Sequence, residues 1–177
     1  MEKITRVISI NQPFATLLAY GIKLNETRPK ATSHTFEKGQ YLIHATKKWN
    51  KEIIKLCYEE PFYSILKDIG CIEKVMDINS VFLPLGKIVG SFEVKECLKV
   101  SNVSEDPKYS VLYRKLEDGD FELQKVHSPE LDFGDYSIDR SIWIGQNHKV
   151  LKDTIPYRGQ QGYHAKFKGN INDLKFI

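Results

Sequence analysis

Residues Ser9 to Arg28 constrain the fold more than any other stretch. They read Ser-Ile-Asn-Gln-Pro-Phe-Ala-Thr-Leu-Leu-Ala-Tyr-Gly-Ile-Lys-Leu-Asn-Glu-Thr-Arg. The start continues an apolar strand that opens near Ile4. Phe14, Leu17 and Leu18 then recur at helical spacing, which predicts a short helix. Asn11 is placed to cap it, and Pro13 fits its first turn, where a missing N–H costs nothing. Gly21 supplies the left-handed residue that ends a helix. If residues 24–28 are extended, Glu26 and Arg28 share one face, because side chains alternate along a strand. Lys23 lies in the turn just before them. Two cations and a carboxylate therefore gather beside a helix end. Such a trio is either a solvated strand edge, worth little, or the wall of a partly dry cleft that tunes the proton affinity of the lysine.

The remaining pattern is short strands with a few helices between them. Tyr41 to Ala45 reads as a buried strand ending near His44. Trp49 to Gly70 is helical, with Asn50 as cap and a break at Pro61. Lys87 to Val100 carries the longest strand pattern, and a short helix is expected over 107–116. Residues 142–144 and 149–151 read as separate strand pieces, and 162–167 as a closing strand. The 177 residues suit one domain, 1–177, with 41% apolar and 28% charged residues. The net charge of +3 permits an anionic partner without requiring one. Cys57, Cys71 and Cys97 show no Cys-x-x-Cys spacing, so they predict buried thiols in a reducing compartment. No apolar run is long enough to span a bilayer, and no signal-peptide core opens the sequence, which points to the cytoplasm.

Four ordered segments carry a family resemblance. Gln12-Pro13-Phe14-Ala15 with Gly21-x-Lys23-x-x-Glu26-x-Arg28 is the first, and Gln40 to Ala45 the second. Gly86 to Glu93 is the third. Gly134-Asp135-Tyr136, Arg140, Trp143 and Pro156-x-Arg158-Gly159-x-Gln161-Gly162 make up the fourth. Together they resemble the ASCH domain family. The resemblance implies an α+β, PUA-like fold: a small mixed β-barrel with flanking helices. It also implies a cleft for RNA or a modified nucleoside. Binding positions carried over are Gln12, Pro13, Phe14, Arg28, His44, Tyr136 and Arg140; Trp49 joins them as the aromatic among Lys47, Lys48 and Lys51. Some small members are amidohydrolases that deacylate N4-acetylcytidine, using a Lys, a Thr three residues later and a Glu from the central strand. Here those positions correspond to Lys23, Glu26 and Glu93. Glu26 replaces the hydroxyl residue, so it would act as a base on water, with Lys23 as proton donor or oxyanion stabiliser.

Each candidate also has a plainer role. Glu93 fits an outward position on a half-buried strand as well as a partner for Lys23 or Arg28. His44 can be a satisfied core histidine, and Asp135 with Arg140 a turn-stabilising ion pair. Lys47, Lys48, Trp49 and Lys51, like Tyr157, Arg158, Tyr163, Lys166 and Lys168, interleave cations with aromatics. That suits nucleic acid and an ordinary solvated face equally. No His-Glu-x-x-His spacing, Gly-x-Ser-x-Gly elbow or phosphate-cradling glycine loop is present, so no metal and no cofactor are expected.

Overall fold

The opening stretch folds much as its pattern dictates. In the computed structural model, which describes residues 5–29, 37–73, 80–103, 109–115, 121–159 and 165–177, β1 (Thr5–Ile10) leads into α1 (Phe14–Ala19) and then β2 (Asn25–Arg28). Gly21 turns the chain with φ +69°, and a Cβ there would lie 3.3 Å from the His148 side chain. The cap differs from expectation. Gln12 Oε1 accepts from the Thr16 N–H at 3.2 Å, while Asn11 Oδ1 accepts from the Thr46 hydroxyl at 2.6 Å.

β3 (Gly39–Ala45) precedes α2 (Lys51–Cys57) and α3 (Phe62–Asp68), which part at Pro61. Asn50 caps α2 as expected, accepting from the Ile53 N–H at 3.0 Å. The long β4 (Lys87–Val103) is followed by β5 (Tyr109–Lys115) and β6 (Phe121–His127). β5 corrects the helix expected there: it pairs with the far end of β4 and with β6, so sheet pairing overrides local helical preference. A 3-10 turn (Glu130–Phe133) follows, and then β7 (Ser141–Pro156), one strand where two pieces were expected. β8 (Lys166–Phe167) and a 3-10 turn (Ile171–Asp173) end the chain. The closing strand expected over 162–167 falls partly outside the described residues, which resume at 165.

The sheet runs β2-β7-β4-β3-β1-β8, and β1 with β3 is a parallel pair in an otherwise antiparallel path. The mixed α+β character holds. The path is open among the described residues: β8 covers only Thr5 and Arg6 of β1. The edge of β1 at Ser9 and Ile10 thus faces the free edge of β2, and the two are bridged by a side chain, Arg28 Nη2 donating to the Ser9 carbonyl at 3.4 Å.

The inner face of the sheet is closed by α1. Ile8, Ile10, Ala15, Leu18, Tyr41, Phe92 and Trp143 form one buried cluster there. Burying each large apolar side chain of this kind contributes about 1.5–3 kcal/mol. α2 and α3 pack on Leu17 and Phe133 in a second cluster. Cys57 and Cys71 belong to that cluster, and burial pushes the Cys57 thiol up to about 12. No helix among the described residues is long and apolar enough to cross a membrane.

Candidate functional site

The seam between β1 and β2 is a cleft of about 530 Å³. One wall is Ser9 to Asn11 with Phe14; the other is Glu26 to Arg28. The 3-10 turn and the chain after it, Asp132 to Asp135, with Arg140, complete the lining. Alternation along β2 turns Glu26 and Arg28 the same way, as the pattern predicts. Glu26 Oε1 lies 3.0 Å from Arg28 Nε, and Glu26 Oε2 lies 3.8 Å from Lys23 Nζ. The Arg28 guanidinium also sits 5.9 Å over the Trp143 ring. Arg140 pairs with Asp135 at 3.4 Å across the rim.

Lys23 is 0% exposed. Its ammonium donates to the Phe133 carbonyl at 2.8 Å. Burial drives the lysine below its ordinary pKa, Glu26 and Glu130 oppose that shift, and Arg28 adds to it. Gly134 makes this burial sterically possible. A Cβ at Gly134 would stand 2.6 Å from Thr27 Cγ2 and 3.3 Å from Lys23 Nζ. The backbone there is extended, φ −164°, so space rather than conformation selects glycine.

Beneath Lys23 lies a carboxylate that the sequence did not single out for this site. Glu130 is 8% exposed. Its Oε2 accepts from the Leu24 N–H at 2.8 Å, and its Oε1 from the Asn25 N–H at 3.0 Å and the Tyr136 hydroxyl at 2.7 Å. Burial, then the nearby Glu130 charge, push the Tyr136 phenol up. The turn 130–133 thus clamps both the start of β2 and the lysine behind it.

A family model described as ASCH domain matches residues 8–154. The chain belongs to the ASCH domain family. Its fold class is accordingly PUA-like, in agreement with the mixed sheet and flanking helices. No curated protein matches the chain.

The structure divides the ASCH positions carried over from sequence. Lys23, Glu26, Arg28, Phe14 and Arg140 come together at the cleft. Glu93 does not. Phe92 and Val94 face the core, so Glu93 faces the other way, where its Oε2 accepts from Asn147 Nδ2 at 2.7 Å. The Lys23–Glu26–Glu93 arrangement is therefore not assembled, which corrects the expectation of one shared site. Gln12 is buried and spent on structure, donating to the Pro84 carbonyl at 2.9 Å besides capping α1. Pro13 is buried next to it. His44 is buried, paired through Nδ1 with the Ser9 hydroxyl at 2.9 Å and set edge-on to Tyr157. Burial lowers its pKa. Trp49 packs on the α2–α3 cluster, and Tyr136 supports Glu130. Thr27 holds the cleft rim, its hydroxyl accepting from the Asp135 N–H at 3.2 Å.

Among the described residues, no cluster of His, Cys, Asp and Glu is arranged to hold a metal. What the cleft offers a ligand is the Glu26–Arg28 pair on one wall, the Asp135–Arg140 pair and Asp132 at the rim, and the Phe14 ring. Carboxylates accept from base amino and imino groups, guanidinium groups donate to carbonyls and phosphates, and a ring can stack.

Proposed function

We propose that the cleft binds a single nucleobase or nucleoside unit, presented as an unstacked residue of RNA. A cleft of about 530 Å³ lies within the range of small-molecule sites. Glu26 would accept the amino or imino protons of the base edge. Arg28 and Arg140 would donate to its carbonyl and to the sugar–phosphate, and Phe14 would flank the ring. The observation that carries this reading is the sealing of Lys23. A lysine with no exposed surface, held by the Phe133 carbonyl, can set the charge of the floor without meeting a substrate. That favours recognition over amide cleavage, as does the position of Glu93. The frame for this reading is a single PUA-like domain whose barrel stays open at the ligand.

Calorimetric titration with the four ribonucleosides and N4-acetylcytidine tests it. At least one should bind saturably, with affinity falling tenfold or more in Arg28→Ala and in Glu26→Gln. Absence of saturable binding by all five would overturn the reading. Release of cytidine from N4-acetylcytidine, abolished in Lys23→Met, would replace it with the amidohydrolase.

A further inference from the structure

We infer that a basic rim beside the cleft carries the phosphates of the RNA strand adjoining the bound unit, through Lys47, Lys48, Lys87 and Arg158. The rim presupposes the nucleotide-binding cleft and extends it from a single unit to a strand. Two connections place it there. Asn11, on the cleft wall, holds the Thr46 hydroxyl at 2.6 Å, and Lys47 and Lys48 follow directly. Ser9, on the same wall, holds His44, and both press against Gly159: a Cβ there would lie 2.5 Å from His44 Cε1 and 3.4 Å from Ser9 Oγ. Arg158 is its immediate neighbour.

The rim is drawn together by backbone pairing. β3 ends with Ala45 opposite Lys87, and Lys87 in turn lies opposite Pro156. The Tyr157 N–H donates to the Gly86 carbonyl at 3.0 Å. The Lys47 stem lies across Gly86, close enough that a Cβ would stand 2.7 Å from its Cε. Four cations from three chain segments are thus collected at one end of the sheet. Lys47, Lys48 and Arg158 are exposed and Lys87 is half-buried. The contributing segments, 44–51, 84–89 and 155–159, contain neither Asp nor Glu.

This sets the rim apart from the rest of the surface. The whole chain carries 26 Lys and Arg against 23 Asp and Glu, so a one-sign patch is not the general condition. Inside the cleft the charges nearly cancel, which suits a base; on the rim they do not, which suits phosphates.

Fluorescence anisotropy with a mixed-sequence 12-nucleotide single-stranded RNA, beside calorimetry with the four nucleoside 5′-monophosphates, tests the rim. The wild type should bind the RNA at least tenfold more tightly than any monophosphate. Each phosphate neutralised on a single strand adds about 0.7 to the salt slope, so four would give a slope near −3. Lys47→Glu combined with Arg158→Glu should weaken RNA at least tenfold and flatten the slope, leaving the monophosphates within twofold. Lys95→Glu with Lys152→Glu, the same charge change elsewhere, should alter RNA binding far less. Equal loss in both double variants, or no loss in the first, overturns the rim while the cleft survives. Failure of wild type to bind either RNA or monophosphate overturns the cleft and the rim together.

Discussion

Glu26 at the seam and Glu93 on β4 are the same residue type in strand positions, yet they live under different physics. Glu26 is covered by the chain from 132 to 135 and braced by Lys23 and Arg28; its side chain is 9% exposed. Glu93 faces away from the core, where its side chain accepts from Asn147. A charge that is covered must be answered by partners, because its desolvation is otherwise uncompensated. The cover, not the strand, makes the seam a partly dry cleft. That cover is the 3-10 turn anchored by Glu130.

Breaking the anchor should have the largest effect. Glu130→Ala would strip the partner from the Leu24 and Asn25 N–H groups and from the Tyr136 hydroxyl. Leaving such buried donors unanswered costs about 1–3 kcal/mol each. Urea unfolding should record that loss, and proteolysis should open the 130–135 turn; a cost under about 1 kcal/mol would mean that Glu130 is not the anchor.

Next comes the sealed cation. Lys23→Met keeps the stem and removes the ammonium, leaving the Phe133 carbonyl unanswered, at about 1–3 kcal/mol. Its pH dependence sharpens the comparison. The folded-state pKa of Lys23 lies below 10.5, so in the window beneath 10.5 the unfolded chain holds this proton more firmly than the folded chain. Stability from this group therefore rises as pH climbs toward 10.5. The deficit of Lys23→Met relative to wild type should widen over that rise, read as paired melting curves from about pH 8 upward. A deficit that stays constant would place the lysine in water.

Arg28→Ala removes the bridge to the Ser9 carbonyl and the brace on Glu26, for about 1–2 kcal/mol. The outer-face counterpart, Glu93→Ala, and the rim substitution Lys48→Ala should each stay within about 0.5 kcal/mol in chemical denaturation. Equal costs for Arg28→Ala and Glu93→Ala would erase the distinction between the two regions.

Much of the seam was legible in the sequence because its signals are local. The helix spacing of Phe14, Leu17 and Leu18, the stop at Gly21 and the alternation of Glu26 and Arg28 all act within a few residues. The family motifs added Arg140. Glu130 gives no such local signal, because its backbone partners lie more than 100 residues earlier, at Leu24 and Asn25; a Glu at the start of a turn looks solvated from sequence alone. Its one signal was its place just before the matched Gly134-Asp135-Tyr136. The facing of Glu93 was open because it lies in a long strand whose register with β7 shifts three times, which defeats simple counting by twos. β5 reads as helix from sequence because its partners, the distal half of β4 and β6, leave no mark in its own residues.

Amide and side-chain NMR during a titration with the four ribonucleosides tests the central claim most directly. Resonances of Ser9 to Asn11, Glu26 to Arg28, Asp132 to Asp135 and Arg140 should shift together and saturate with one affinity. Those of Glu93, Lys95 and Asn147 should stay still. Saturable shifts centred on Glu93 and Asn147, with the seam silent, would contradict a ligand site built where the sheet stays open.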